Sequence, residues 1–210
     1  MLKKWTLGIL LLTTSLFSQA TLITSDVYSV DMEGISVTAY FSDTSQETLY
    51  WSALTATTGG VQSSLWSLTL DGLTFGDYDP ITGNIYGLWT LTNEKSPQKI
   101  VGLTIDAGIK GFYFDVVNGT TSSTPGSEAG REFAASDDTV TVAYGDSFSF
   151  PDLFGTLSIA WGVDQGLSAR EQLFFLTDTD KAEVPEPSTL FTFALGFLAL
   201  TSLRKKYSGK

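Results

Sequence analysis

ISVTAYF, residues 35–41, puts an apolar side chain at every second position. In an extended chain successive Cβ atoms point to opposite faces, so Ile35, Val37, Ala39 and Phe41 share one side. Ser36, Thr38 and Tyr40 take the other. A helix would scatter the four apolar groups around its circumference and leave no stripe to bury. The stretch therefore reads as a strand with one face on a core.

The same alternation recurs outward from it. Trp66, Leu68 and Leu70 form a row, as do Val101, Leu103, Ile105 and Ala107. Further rows are Phe112, Phe114 and Val116, then Val140, Val142 and Tyr144, then Leu157, Ile159 and Trp161, then Leu173 and Phe175. Shorter strand candidates are 48–54, 85–91 and 147–150. Turn residues punctuate them: Gly59-Gly60, Asp71-Gly72, Asp79-Pro80 with Gly83-Asn84, Asn118-Gly119 and Gly145-Asp146. About nine or ten short strands without a helix predict an all-β body, an antiparallel β-sandwich or jelly roll, over residues 21–183. A body of that length can bury a sizeable core. The polar segment Asn118–Asp138 is its longest loop, a length usually reserved for function or mobility.

The two ends differ from the body. Residues 1–20 carry Lys3 and Lys4, an apolar run from Trp5, and the small-residue close Ser18-Gln19-Ala20. That is the plan of a signal peptide, with signal peptidase cutting between Ala20 and Thr21, so export is expected. Residues 184–210 begin Val184-Pro185-Glu186-Pro187-Ser188, continue through an uncharged stretch 188–203, and close on a basic end, 204–210. As a helix the uncharged stretch would span about 24 Å, somewhat short of a ~30 Å hydrocarbon core. Its flanks favour a single transmembrane helix. The prolines hold the upstream chain extended, and Arg204, Lys205 and Lys206 are a stop-transfer cluster that belongs on the cytoplasmic side.

This tail resembles the PEP-CTERM sorting signal of Gram-negative bacteria, on the residues Pro185, Glu186 and Pro187, the span after them and the basic terminus. The resemblance implies recognition and processing by exosortase, a transient stay in the inner membrane, and delivery to the cell surface or extracellular matrix. It implies little about the body. With that context the expected role is structural or adhesive, beside exopolysaccharide in a biofilm.

Charge and composition narrow the chemistry. The chain has 12 basic and 23 acidic residues, a net −11. Between Thr21 and Glu183 the balance is 6 basic to 22 acidic, a net −16, which suits no phosphate backbone; nucleic acid is not an expected partner. There is no histidine and no cysteine. Ser-His-Asp and Cys-His catalysis and the usual catalytic zinc sets are therefore unavailable, and no disulfide can brace the fold. An enzyme is not expected. The remaining route, a carboxylate pair for glycoside hydrolysis, would draw on Glu94, Glu128, Glu132 and Glu171.

Two binding chemistries stay open. A carbohydrate-binding module would use flat aromatic faces among Trp51, Trp66, Trp89 and Trp161, with Tyr50, Tyr78 and Tyr86. Trp66 and Trp161 are in phase with apolar rows and are expected in the core, which leaves Tyr78 and Tyr86, at turn edges, as the ligand candidates. Asp77-Tyr78-Asp79 and Asp178-Thr179-Asp180 each space two hard oxygen ligands by two residues, the same side of a strand. Asp178 and Asp180 are the candidates for a structural calcium, in an otherwise cofactor-free protein. Ordinary solvated acids at strand ends would look the same.

Overall fold

Period-two rows become strands. The computed structural model describes residues 22–24, 27–78, 85–94, 97–116, 130–148 and 152–183. The expected signal peptide, its expected cleavage point at Ala20 and Thr21, and the tail 184–210 with its expected transmembrane helix lie outside the described residues. The chain divides into Ile23–Ala182 and a unit of its two ends, of which only Leu22 and Glu183 are described.

Sixteen strand segments follow in order: β1 Leu22–Thr24, β2 Ser36–Phe41, β3 Gln46–Tyr50, β4 Ser52–Ala53, β5 Thr58–Gln62, β6 Trp66–Asp71, β7 Asp77–Tyr78 and β8 Ile85–Tyr86. After them come β9 Trp89–Asn93, β10 Ile100–Asp106, β11 Phe112–Asp115, β12 Ala134–Ala135, β13 Thr141–Ser147, β14 Leu153–Ala160, β15 Gln172–Leu176 and β16 Asp178–Glu183. Two three-residue 3-10 turns, Ser29–Asp31 and Gly108–Lys110, are the only helical pieces among the described residues. None of those residues forms a helix long and apolar enough to cross a membrane.

The first sheet runs β1-β16-β11-β14-β10-β2-β3, and the second β12-β15-β9-β6-β5-β4; β7 and β8 make a separate ribbon. Pairing is antiparallel from β16 through to β3 in the first sheet and from β12 through to β4 in the second. Ile159 of β14 pairs with both Leu103 and Val142, so β13 runs along the side of β14 opposite β10. Val37, Leu103, Ile105, Leu157 and Ile159 of the first sheet, with Ile35 just before β2, join Leu68, Leu70, Leu91, Leu173 and Phe175 of the second in one hydrophobic cluster. The body is all-β and sandwich-like, and burial of these rows holds it together without a disulfide.

Where the structure departs from the period-two reading, the cause is local. A register shift between Ile100 and Gly102 exchanges the phase of β10, so Ile100 is fully buried and Val101 half-buried. Val142 is exposed on β13, which among the described residues pairs with β14 and no other strand. Residues 48–54 are not one strand. The chain leaves the first sheet after Tyr50 and enters the second at Ser52, with Trp51 buried at the corner. Its indole N–H donates to Ser29 O at 2.7 Å, and a Cβ at Gly59 would overlap that carbonyl. Only glycine fits there. A second corner lies at Thr177, between β15 and β16. Among the described residues the expected strands 48–54 and 85–91 each divide in two, and β1, β5, β7, β12 and β16 form where the alternation announced no strand.

Candidate metal centre

β11 and β16 bring the first sheet's acids together. They pair antiparallel with Asp115 directly opposite Asp178, and Asp180 lies two residues further along β16, on the same face as Asp178. One carboxylate oxygen from each of Asp115, Asp178 and Asp180 can be chosen so that all three lie within 4.8 Å of one another. All three residues are buried, at 0, 2 and 0 % exposure. The aspartates expected at an exposed strand end thus begin a new strand that is covered on both faces. They are not solvated acids.

Like charges facing one another across strands repel, and burial weakens their hydration. Burial is the main cause that pushes the Asp178 carboxyl up to about 8, and the neighbouring Asp180 and Asp115 add to it. The Thr179 N–H, which donates to Asp178 Oδ1 at 2.8 Å, and the Arg131 guanidinium act in the opposite direction. Arg131 arrives from the far end of the Asn118–Asp138 segment, whose residues 118–129 lie outside the described set. Its backbone N–H donates to Asp115 O at 3.1 Å, and its guanidinium sits 5.1 Å from the centre of the Phe75 ring. Gly130 just before it packs so closely that a Cβ would overlap Asp115 Oδ1. Three hard oxygen ligands suit a cation such as Ca²⁺, which takes 6–8 oxygens and accepts carboxylates one- or two-toothed.

Asp115 was hidden in the sequence by its neighbours. Phe112 and Phe114 set the inward row, which assigns Asp115 to an outward, wet position. On that outward side Asp115 faces Leu153 and Asp178 across the neighbouring strands, and Leu153 and Ala182 form a second, smaller buried cluster with Tyr113 and Phe148 packed against it, so the position is dry. An acid inside a run as apolar as Phe112–Val117 was the available signal.

The other candidates scatter. Asp77 and Tyr78 fall on β7, and Asp79 lies outside the described residues. Tyr86 is half exposed on β8, and Tyr50 is exposed on β3. Trp51 and Trp89, offered as sugar platforms, are buried with ring centres 5.3 Å apart, and Trp89 stacks on Phe175. They fill the core. Trp66 is buried as expected, its indole N–H donating to Glu47 Oε2 at 2.7 Å. Trp161 is only half-buried, because β14 ends one residue before it. Glu94 accepts from Ser67 Oγ, Glu171 accepts from the Ser168 N–H across a turn, Glu132 is exposed, and Glu128 lies outside the described residues.

Residues 183–206 match the family described as the PEP-CTERM protein-sorting motif. The motif covers Pro185, Glu186, Pro187 and the basic residues Arg204, Lys205 and Lys206. It implies an exported precursor, anchored in the membrane before processing by exosortase. No curated protein and no solved structure matches the chain.

Proposed function

We propose that this exosortase-sorted chain is a cell-surface or extracellular-matrix protein whose β body has a structural or adhesive role in contact with exopolysaccharide. The match at residues 183–206 carries the reading. In the precursor the span 188–203 sits in the inner membrane, the basic end faces the cytoplasm and the body faces outward. Exosortase reads Pro185-Glu186-Pro187 and releases the body from that anchor. Signal peptidase acts at the other end, between Ala20 and Thr21. A chain with no cysteine needs no oxidative folding once outside, and one hydrophobic cluster shared by two sheets supports that independence. Replacing all three motif residues by Ala should trap the protein in the membrane fraction of cells that make exosortase. Unchanged release of that variant would defeat the sorting step. Deletion of the whole chain should lower biofilm cohesion, and unaltered cohesion would defeat the adhesive role.

A structural calcium belongs to the same reading, favoured by the closeness of three buried carboxylates. Asp115, Asp178 and Asp180 would supply the anionic oxygens, and backbone carbonyls or water the remainder. A cation there relieves the repulsion between β11 and β16 in a body already at −16. Because a ligand of the folded state stabilises it by mass action, millimolar Ca²⁺ should raise the Tm over that in chelator. The double change Asp178→Asn, Asp180→Asn should remove the increment. Identical melting curves with calcium and chelator would exclude the ion.

A further inference from the structure

A groove of about 650 Å³ opens where β2 and β14 end and β10 begins. Phe41, Val101 and Trp161 give it an apolar side, and Lys99, Asp164 and Gln165 a polar one. Its size lies within the ~300–1,000 Å³ usual for ligand pockets, and few, fixed polar groups on an apolar surface are the usual composition of such sites.

Trp161 sets the groove apart. Trp51, Trp66 and Trp89 are buried, so among the described residues it is the one tryptophan left half open. It is also immobilised. Its indole N–H donates to Asp137 Oδ2 at 3.0 Å, and its backbone N–H to Val101 O at 3.1 Å. Asp137 is itself pinned by the Thr139 N–H at 2.9 Å and the Thr139 hydroxyl at 2.7 Å. With its N–H tied back, the indole offers the groove a fixed apolar face.

The walls are equally tied. Ser42 N–H donates to Lys99 O at 2.9 Å, Lys99 N–H to Ser42 Oγ at 3.2 Å, and Lys99 Nζ to Asp164 O at 2.9 Å. Two wall residues, Thr44 at φ 70° and Asp164 at φ 63°, hold left-handed backbone, which is unfavourable for a side-chain-bearing residue. Strain of this kind persists where the surroundings over-determine it, and it gathers at binding sites.

We propose that this groove binds a neutral glycan, with one pyranose ring stacked on Trp161. The axial C–H bonds of a sugar ring lie against an indole face, and the ring hydroxyls exchange hydrogen bonds with Lys99, Asp164 and Gln165. Uronate polymers are disfavoured, because the −16 body repels polyanions. The inference rests on the exopolysaccharide contact proposed above and names the site for it.

Affinity electrophoresis tests it, with the full-length chain in mild detergent run through gels containing dextran, a soluble β-glucan or galactomannan, and alginate as the anionic control. At least one neutral polysaccharide should retard the protein and alginate should not. Trp161→Ala should weaken the retardation about tenfold or more, the scale of losing a buried aromatic anchor. Gln165→Ala, at an exposed position that leaves the core intact, should weaken it several-fold with an unchanged Tm, so the test survives if the tryptophan variant fails to fold. Tyr86→Ala, on the separate ribbon, should change nothing. Retardation that persists in both groove variants would overturn this site and leave carbohydrate contact standing. Retardation by no neutral polysaccharide, or by alginate alone, would overturn both the groove and the neutral-glycan contact.

Discussion

Burial, with Asp180 and Asp115 beside it, pushes the Asp178 carboxyl of the metal-free folded protein up to about 8, whereas an unfolded aspartate titrates near 4. Between those values the native state keeps a proton that the unfolded chain releases. Stability from this group is therefore complete below about pH 4 and is lost as pH rises through about 8, by at most ~1.4 kcal/mol per pH unit. The groups around it are Asp180, Asp115, the Thr179 N–H and Arg131, and only the last two favour its ionised form. Denaturant midpoints in chelator should fall from pH 5 to pH 8, and Asp178→Asn should flatten that fall. Calcium displaces the proton, so its stabilising effect should be larger at pH 8 than at pH 6. A pH-independent midpoint in the metal-free protein would contradict the buried, proton-holding carboxyl.

At the scale of the element, β14 and β13 make a matched contrast. Leu157 and Ile159 on β14 are buried between neighbours on both sides, while Val142 on β13 pairs at a free edge. Leu157→Ala should cost about 2–5 kcal/mol and Phe114→Ala about 3–5 kcal/mol, from lost burial and the cavity left behind. Val142→Ala should cost less than about 1 kcal/mol, as expected for an exposed position. Equal losses at Leu157 and Val142, by urea unfolding, would mean that β13 is covered. This contrast also marks what a period-two reading can do. It found the inward rows of β2, β6, β14 and β15, because alternation is a property of each strand alone. It missed the corner at Trp51, where the apolar pattern runs on while the chain changes sheets, and the one at Thr177, where polar residues 177–181 hide the start of a new strand. It also missed that the outward face of β11 is covered at Asp115, and with that it missed the third acid. Both depend on partners from distant sequence.

Across the whole molecule, signals written in one contiguous stretch were legible and assembled ones were not. The tail motif needs only its own residues, and it was readable as Pro185-Glu186-Pro187, an uncharged span and a basic end. The groove at Trp161 is built from 41–44, 97–101 and 161–165, and no local pattern announces it. Charge follows the same division, with half of the basic residues at the two ends and a strongly acidic body between them. Both ends, on this reading, are addresses removed in transit. Its direct test is the intact mass of the protein released or displayed by cells with exosortase, beside the same strain lacking it. The mature form should start at Thr21 and lack everything beyond the Pro-Glu-Pro motif, with the tail retained only when exosortase is absent. A surface form from exosortase-bearing cells that still carries Arg204, Lys205 and Lys206 would contradict it.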